Sequence, residues 1–226
     1  MNTTAEEKFI YIDKPAGWTS FDVVAYLRRA YKQKNPAEKN PRVGHAGTLD
    51  PFATGLLIVG LGRAATKRLD EFKKLKKTYL AGLHLGQTSD TGDPEGKISD
   101  APTPAKSPTE KEIKIVLKKF LGKQLQTPPM YSAKKINGQK LYDLARAGKT
   151  VERVPAQIEI YDIKIIRYAW PILEIEVTCS AGTYIRTLAE DLGRALGCGA
   201  YCETLRRLAI GDITVSEAKT PQEILL

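Results

Sequence analysis

Apolar positions in this chain change period several times, and each change marks an element. Phe9-Ile10-Tyr11-Ile12-Asp13 predicts a first strand, stopped by Lys14-Pro15-Ala16-Gly17. Thr19 or Ser20 then caps a helix over about 21–31, with Val23, Val24, Leu27 and Ala30 on one face. A polar loop, 32–43, leads through a glycine-rich turn into a buried strand at 55–60, a basic helix near 63–73 and a strand at 78–85. Residues 87–106 lack any period and predict a long loop. Ser107-Pro108-Thr109-Glu110 reads as a capping box opening a helix that Gly122 closes. Asn137-Gly138 signals a tight hairpin, followed by a short helix at about 140–147 that ends at Gly148. Two long alternating strands, 156–168 and 172–180, lie either side of Pro171. A helix at 184–196 stops at Gly197, a strand follows near 206–215, and Thr220-Pro221-Gln222-Glu223 starts a last helix. Neighbouring strands mixed with scattered helices predict an α+β fold on a large mixed sheet, with no repeat and no dividing linker.

The 226 residues allow one large or two small domains, and 42% hydrophobic content suffices for a core. No run approaches the roughly 18 apolar residues needed to cross a bilayer. The N-terminus lacks the basic and apolar regions of a signal peptide. Three cysteines, an odd number, argue against a disulfide framework and suit a reducing cytoplasm. Charge is concentrated: the net of +9 arises from +5 over 63–77 and +8 over 106–153, on an otherwise mildly acidic chain. Two basic patches of this kind fit a polyanion, although lysine-rich solvated helices have the same composition.

One carboxylate stands out. Gly44-His45-Ala46-Gly47-Thr48-Leu49-Asp50-Pro51 places Asp50 in a turn whose glycines permit sharp bends and whose proline biases Asp50 away from helical angles. Asp-Pro in such a loop is also an ordinary turn. No dinucleotide or P-loop fingerprint accompanies it, no serine lies in a nucleophile elbow, and two histidines are too few for a histidine-rich metal site. What remains is carboxylate chemistry: nucleophilic attack or proton transfer.

These segments resemble the bacterial tRNA pseudouridine synthase B family. Gly44–Pro51 with Thr54-Gly55-Leu56-Leu57 is similar to its catalytic motif, and Asp13-Lys14-Pro15-Ala16-Gly17-Trp18-Thr19-Ser20 to its N-terminal signature. Lys77-Thr78-Tyr79 and Leu85–Asp93 resemble its central motif. Pro129–Lys135, Leu141-Tyr142 and Ala145–Gly148 resemble its RNA-gripping insertion, and Gly182–Leu188 with Leu205-Arg206-Arg207 completes the series. The resemblance runs in order from about Phe9 to Gly211. It implies a single α+β pseudouridine-synthase catalytic domain over 1–226, on a mainly antiparallel sheet with flanking helices and a basic arm at about 123–153. Longer members carry an additional C-terminal RNA-binding domain, which is not expected within this chain.

By the same resemblance, Asp50 matches the nucleophile, Arg186 the arginine that pairs with it, and Tyr79 an active-site tyrosine that stacks on the base. His45 matches a residue that fills space left by flipped nucleotides. Asp90 is expected to orient Arg186, and Tyr184 to contact substrate. Lys134, Lys135, Lys140, Arg146, Lys149 and Arg153 are expected to grip phosphates, with Lys67, Arg68, Lys73 and Lys74 extending the track. The implied reaction isomerises uridine 55 in the T arm of tRNA. Attack at C1′, deprotonation of the sugar to a glycal and attack at C6 all remain open. The implied protein is a cytoplasmic monomer whose partner is the tRNA T stem-loop, with no metal, cofactor, membrane or obligate protein partner. A tRNA-folding chaperone using the same groove is the alternative. A carboxylate glycosidase is disfavoured by the basic patches and the lack of an evident second carboxylate.

Overall fold

A computed structural model describes residues 8–36, 40–101, 107–132, 135–136, 138–149 and 151–224. In chain order the elements are β1 (Lys8–Lys14), α1 (Ser20–Lys34), β2 (Val43–Ala46), β3 (Thr54–Leu61), α2 (Gly62–Lys74), β4 (Lys77–Leu85), β5 (Gln87–Ser89) and β6 (Ile98–Asp100). They continue with α3 (Glu110–Lys118), β7 (Gly122–Gln126), β8 (Lys135–Ile136), β9 (Gln139–Lys140), α4 (Leu141–Arg146), β10 (Ala156–Ala169) and β11 (Ile172–Cys179). The last are α5 (Ile185–Leu196), β12 (Ala200–Ile210), β13 (Ile213–Thr214) and two 3-10 turns, Val215–Glu217 and Pro221–Glu223. Nine strands belong to a mainly antiparallel sheet, as the α+β reading expects. The chain divides into two compact units, Met1–Tyr79 with Arg206–Leu226, and Leu80–Leu205.

The first unit is built around β3. One edge of β3 pairs antiparallel with β1, from Lys8 opposite Leu61 to Lys14 opposite Gly55. The other edge is shared: β2 covers Ile58 to Leu61 antiparallel, and Arg206 and Arg207 of β12 pair in parallel with Thr54 and Gly55. β3 is apolar at nearly every position because both its faces are covered. Leu57, Val59 and Leu61 pack with Ile10, Ile12 and the α1 stripe Val23, Val24 and Leu27. Leu56 and Ile58 pack with Leu69 of α2 and Ile210. Thr19 caps α1 through a reciprocal box with Asp22.

In the second unit β4, β11, β10 and β7 lie side by side, with β12 on the far side of β4. Leu83, Leu85, Ile158, Ile160, Ile175 and Val177 are buried there, as are Leu188 and Leu192 of α5 and Ile113 and Leu117 of α3.

Several elements differ from expectation, each for a local reason. The 87–106 loop contains a ribbon of β5 and β6, too short at three residues each to show a period. Thr109 with Glu112, rather than Ser107 with Glu110, forms the box that caps α3, and α3 ends at Lys118. Gly122, at φ +87°, opens β7 instead of closing a helix. β2 hides at the end of the polar loop because Gly44 and His45 interrupt its apolar pattern. β12 begins at Ala200, not 206, since consecutive burial of Ala200, Tyr201 and Cys202 leaves no alternation to read. The last helix is a 3-10 turn, although its box of Thr220 and Glu223 is present.

Gly193 tests how tightly α5 sits. A methyl group there would lie 2.2 Å from the Ala200 nitrogen. Helix propensity alone favours Gly193→Ala by up to about 1 kcal/mol. The clash should reverse that sign and cost about 1–3 kcal/mol, measured as a lower urea midpoint at unchanged slope.

Candidate active site

Asp50 lies on the connection between β2 and β3, and buried donors hold that connection at nearly every step. Arg207 Nη2 donates to the Gly47 carbonyl at 3.0 Å. Ser20 Oγ takes the Leu49 N–H at 2.8 Å and donates to the Leu49 carbonyl at 3.1 Å. Lys14 Nζ donates to the Pro51 carbonyl at 3.2 Å, and to those of Pro15 at 2.9 Å and Trp18 at 2.5 Å. The Gly17 N–H reaches the Pro51 carbonyl at 2.9 Å, and the Ala53 N–H the Asp50 carbonyl at 3.1 Å. Thr54 Oγ1 accepts from Arg206, whose guanidinium forks onto Asp13 at 2.6 and 3.0 Å. Lys14 and Arg207 are essentially fully buried, so their charges act through low-dielectric surroundings. Asp50 itself is half-buried. Sequence reading placed Lys14 and Arg207 inside motifs without assigning them work. A buried cation is invisible to a periodicity argument, which treats lysine and arginine as surface residues.

His45 shares this hairpin, paired through its backbone with Val59. Its Nδ1 is buried and has no hydrogen-bond partner among the described residues. Burial, then the charges of Arg207 and Lys73, depress its pKa to about 4, so the ring is neutral near pH 7. A neutral imidazole suits stacking against a base. Tyr79 is buried on β4.

Arg186 is the second residue of α5 and is caged within the second unit. Its Nη1 donates to the Thr91 carbonyl at 2.8 Å and to Asp93 Oδ2 at 3.0 Å, and its Nη2 to the Tyr131 carbonyl at 2.5 Å. Both members of the Arg186–Asp93 pair are about 95% buried. Asp93 Oδ1 accepts from Thr91 Oγ1 at 2.6 Å and the Glu95 N–H at 3.1 Å, which orients the carboxylate. Asp93 is thus an acid that pairs with Arg186. The tight turn from Ser89 carries Asp93 inward, while Asp90 accepts the Lys97 N–H at 2.8 Å. Asp90 lines a cleft of about 520 Å³ with Glu190 and Arg194, and burial raises the Glu190 pKa, with Asp191 adding to the rise. Tyr184 is the N-cap of α5 and has no capping side chain of its own. Gln126 substitutes: its amide accepts the Tyr184 N–H at 2.7 Å and donates to the Tyr184 carbonyl at 3.0 Å. Asp93 and Gln126 were missed because only tertiary structure distinguishes them from neighbouring polar residues.

Of the expected phosphate contacts, Lys149 is exposed, and Arg153 Nη1 donates to the Pro128 carbonyl at 3.1 Å. Lys134 lies outside the described residues, and for Lys135, Lys140 and Arg146 only the backbone is described. On α2, Arg68 is bonded to Glu71 and Lys73 to Asp70, so part of that patch is locally balanced. Among the described residues, no three His, Cys, Asp or Glu side chains cluster as metal ligands, and no helix is long and apolar enough to cross a membrane.

Comparison with known proteins fits this arrangement. The chain is 47% identical over 207 residues to the tRNA pseudouridine synthase B of Dehalococcoides mccartyi strain CBDB1, covering 92% of this chain and 66% of that relative. It is 44% identical over 217 residues to that of Parabacteroides distasonis, covering 96% and 91%. A chain of an H/ACA ribonucleoprotein solved with a substrate RNA containing 2′-deoxyuridine superimposes with a TM-score of 0.68 at 26% identity, covering 95% of this chain. A chain from a Cbf5-Nop10-Gar1 complex does so with 0.67 at 28%, covering 91%. This chain spans about half the length of those two and just under two thirds of the Dehalococcoides relative. The model of the N-terminal domain of TruB family pseudouridylate synthases matches residues 28–185, and that of the tRNA pseudouridylate synthase B C-terminal domain matches 186–226, the stretch carrying α5 and β12. Matched over nearly its whole length, with the Asp50 hairpin inside the first match and Arg186 at the start of the second, the chain belongs to the TruB family of pseudouridylate synthases.

Proposed function

We propose that this chain converts uridine 55 in the T arm of tRNA to pseudouridine, with Asp50 as the reacting carboxylate. The braced Asp50 turn in a member of this family carries the reading. The reaction breaks the C1′–N1 bond, turns the uracil and joins it to the sugar through C5. One proton leaves C5 and N1 gains one, so no net electron transfer occurs. Asp50 acts by attack at C1′, by deprotonating the sugar or by attack at C6. Each route needs a fixed, ionised carboxylate, and in this reading the Arg186 guanidinium helps keep it so.

The target base lies inside a folded arm and must be flipped out to be reached. Tyr79 stacks on the released uracil, since a phenol with pKa around 10 is a poor base at neutral pH. The neutral ring of His45 fills the vacated stack. Residues 1–226 act as one catalytic domain in which the segment at about 123–153 closes on the RNA. Lys134, Lys135, Lys140, Arg146, Lys149 and Arg153 then meet phosphates, and Tyr184 contacts the flipped nucleotide. The protein works as a cytoplasmic monomer.

Asp50→Asn should abolish tritium release from C5-labelled uridine in a T-arm stem-loop by more than about 10³-fold. The stem-loop should still bind within about threefold of the parent affinity, since a neutral amide does not repel phosphate. Parental turnover by this variant would exclude Asp50 as the reacting group, whereas binding without any tritium release by the parent protein would favour a chaperone. Affinity should also fall with salt, by about 0.9 log units per log unit of salt for each duplex phosphate contacted. The Lys149→Ala, Arg153→Ala double variant should show a shallower slope in the same titration.

A further inference from the structure

Arg207 is a fully buried guanidinium, yet its hydrogen bonds among the described residues go to carbonyl oxygens and to no carboxylate. Its neighbour Arg206 is paired with Asp13 and partly exposed. Removing a cation from water without a counter-ion is strongly unfavourable, and an apolar side chain of similar volume would avoid that cost. What the arginine supplies instead is geometric. Its Nε donates to the Leu56 carbonyl at 2.7 Å and its Nη2 to the Gly47 carbonyl at 3.0 Å. Those carbonyls bracket the connection that carries Asp50, one before it and one after it.

The base of this fork is itself immobile. Arg207 pairs in parallel with Gly55, and a Cβ at Gly55 would lie 2.3 Å from the Arg207 carbonyl oxygen and 2.7 Å from its nitrogen. Gly55 adopts φ +99°, so glycine is required twice over, for its backbone angle and for the close approach. Backbone 207 is thus pressed onto the downstream end of the turn, while its side chain reaches the upstream end.

We propose that Arg207 is a positioning residue for the Asp50 reaction: its planar fork ties both ends of the β2–β3 connection and so fixes where the carboxylate stands. The proposal rests on Asp50 being the reacting group. The same buried charge faces His45 from β12, as Lys73 does from α2, with Lys73 bonded to Asp70. His45 therefore reports on the Arg207 charge independently of catalysis.

The test uses Arg207→Met, which removes fork and charge, and Arg207→Lys, which keeps charge but offers a single donor point. His45 and His84 are the only histidines, so both imidazoles can be followed by NMR. His84, stacked on Tyr201 in the second unit, reports whether the fold elsewhere is intact. With Arg207→Met, the single-turnover rate at saturating stem-loop should fall on the order of 10²-fold, with affinity within about threefold. The His45 titration should rise from about 4 yet stay below 6.5, because burial, the larger cause, remains. Arg207→Lys should keep the His45 titration low and still lose rate roughly tenfold. A parental rate in a folded Arg207→Lys protein would overturn the fork. A loss confined to RNA affinity would overturn the positioning role, and a His45 titration unmoved in Arg207→Met would overturn the placement of the charge. Should Asp50→Asn prove active, the catalytic reading fails while the His45 measurement still decides the geometry.

Discussion

A reactive carboxylate on a hairpin connection is only as well placed as the backbone that bears it. The connection between β2 and β3 is neither helix nor sheet, so its carbonyls and N–H groups have no regular partners. Here they are met by side chains reaching in from elsewhere: Lys14 from β1, Ser20 from α1 and Arg207 from β12. Three elements distant in sequence converge on one loop. β3 lies between β1, which carries Lys14, on one edge and β2 with β12, which carries Arg207, on the other.

The second unit solves an analogous problem by a different means. Arg186 is held from several sides, and its partners include the Thr91 and Tyr131 carbonyls and the oriented Asp93 carboxylate. The start of α5 is held separately, by the Gln126 amide acting on Tyr184 as a neighbouring strand would. Fixing the helix end and the side chain independently limits how far the guanidinium can wander.

Much of this was legible in the sequence, and the failures share a cause. β1, α1, α2, β4, β10, β11 and α5 emerge close to their observed bounds because each has one dry face and a clear period, and β3 because it is an unbroken apolar run. β2, β5, β6 and β7 are short or glycine-interrupted, and β12 starts with three consecutive buried residues that show no alternation. Asp50, His45 and Arg186 stood out through motif resemblance. The choice between Asp90 and Asp93 depended on three residues of turn geometry, which no periodicity encodes. The work of Lys14, Gln126 and Arg207 is visible only once distant backbone is brought beside them.

The bond from Arg186 to residue 131 ends on main chain rather than on a side chain. Any amino acid at that position would present the same oxygen, so the phenol of Tyr131 is relieved of architectural duty. The anchor of Arg186 at this point is therefore indifferent to which side chain residue 131 carries.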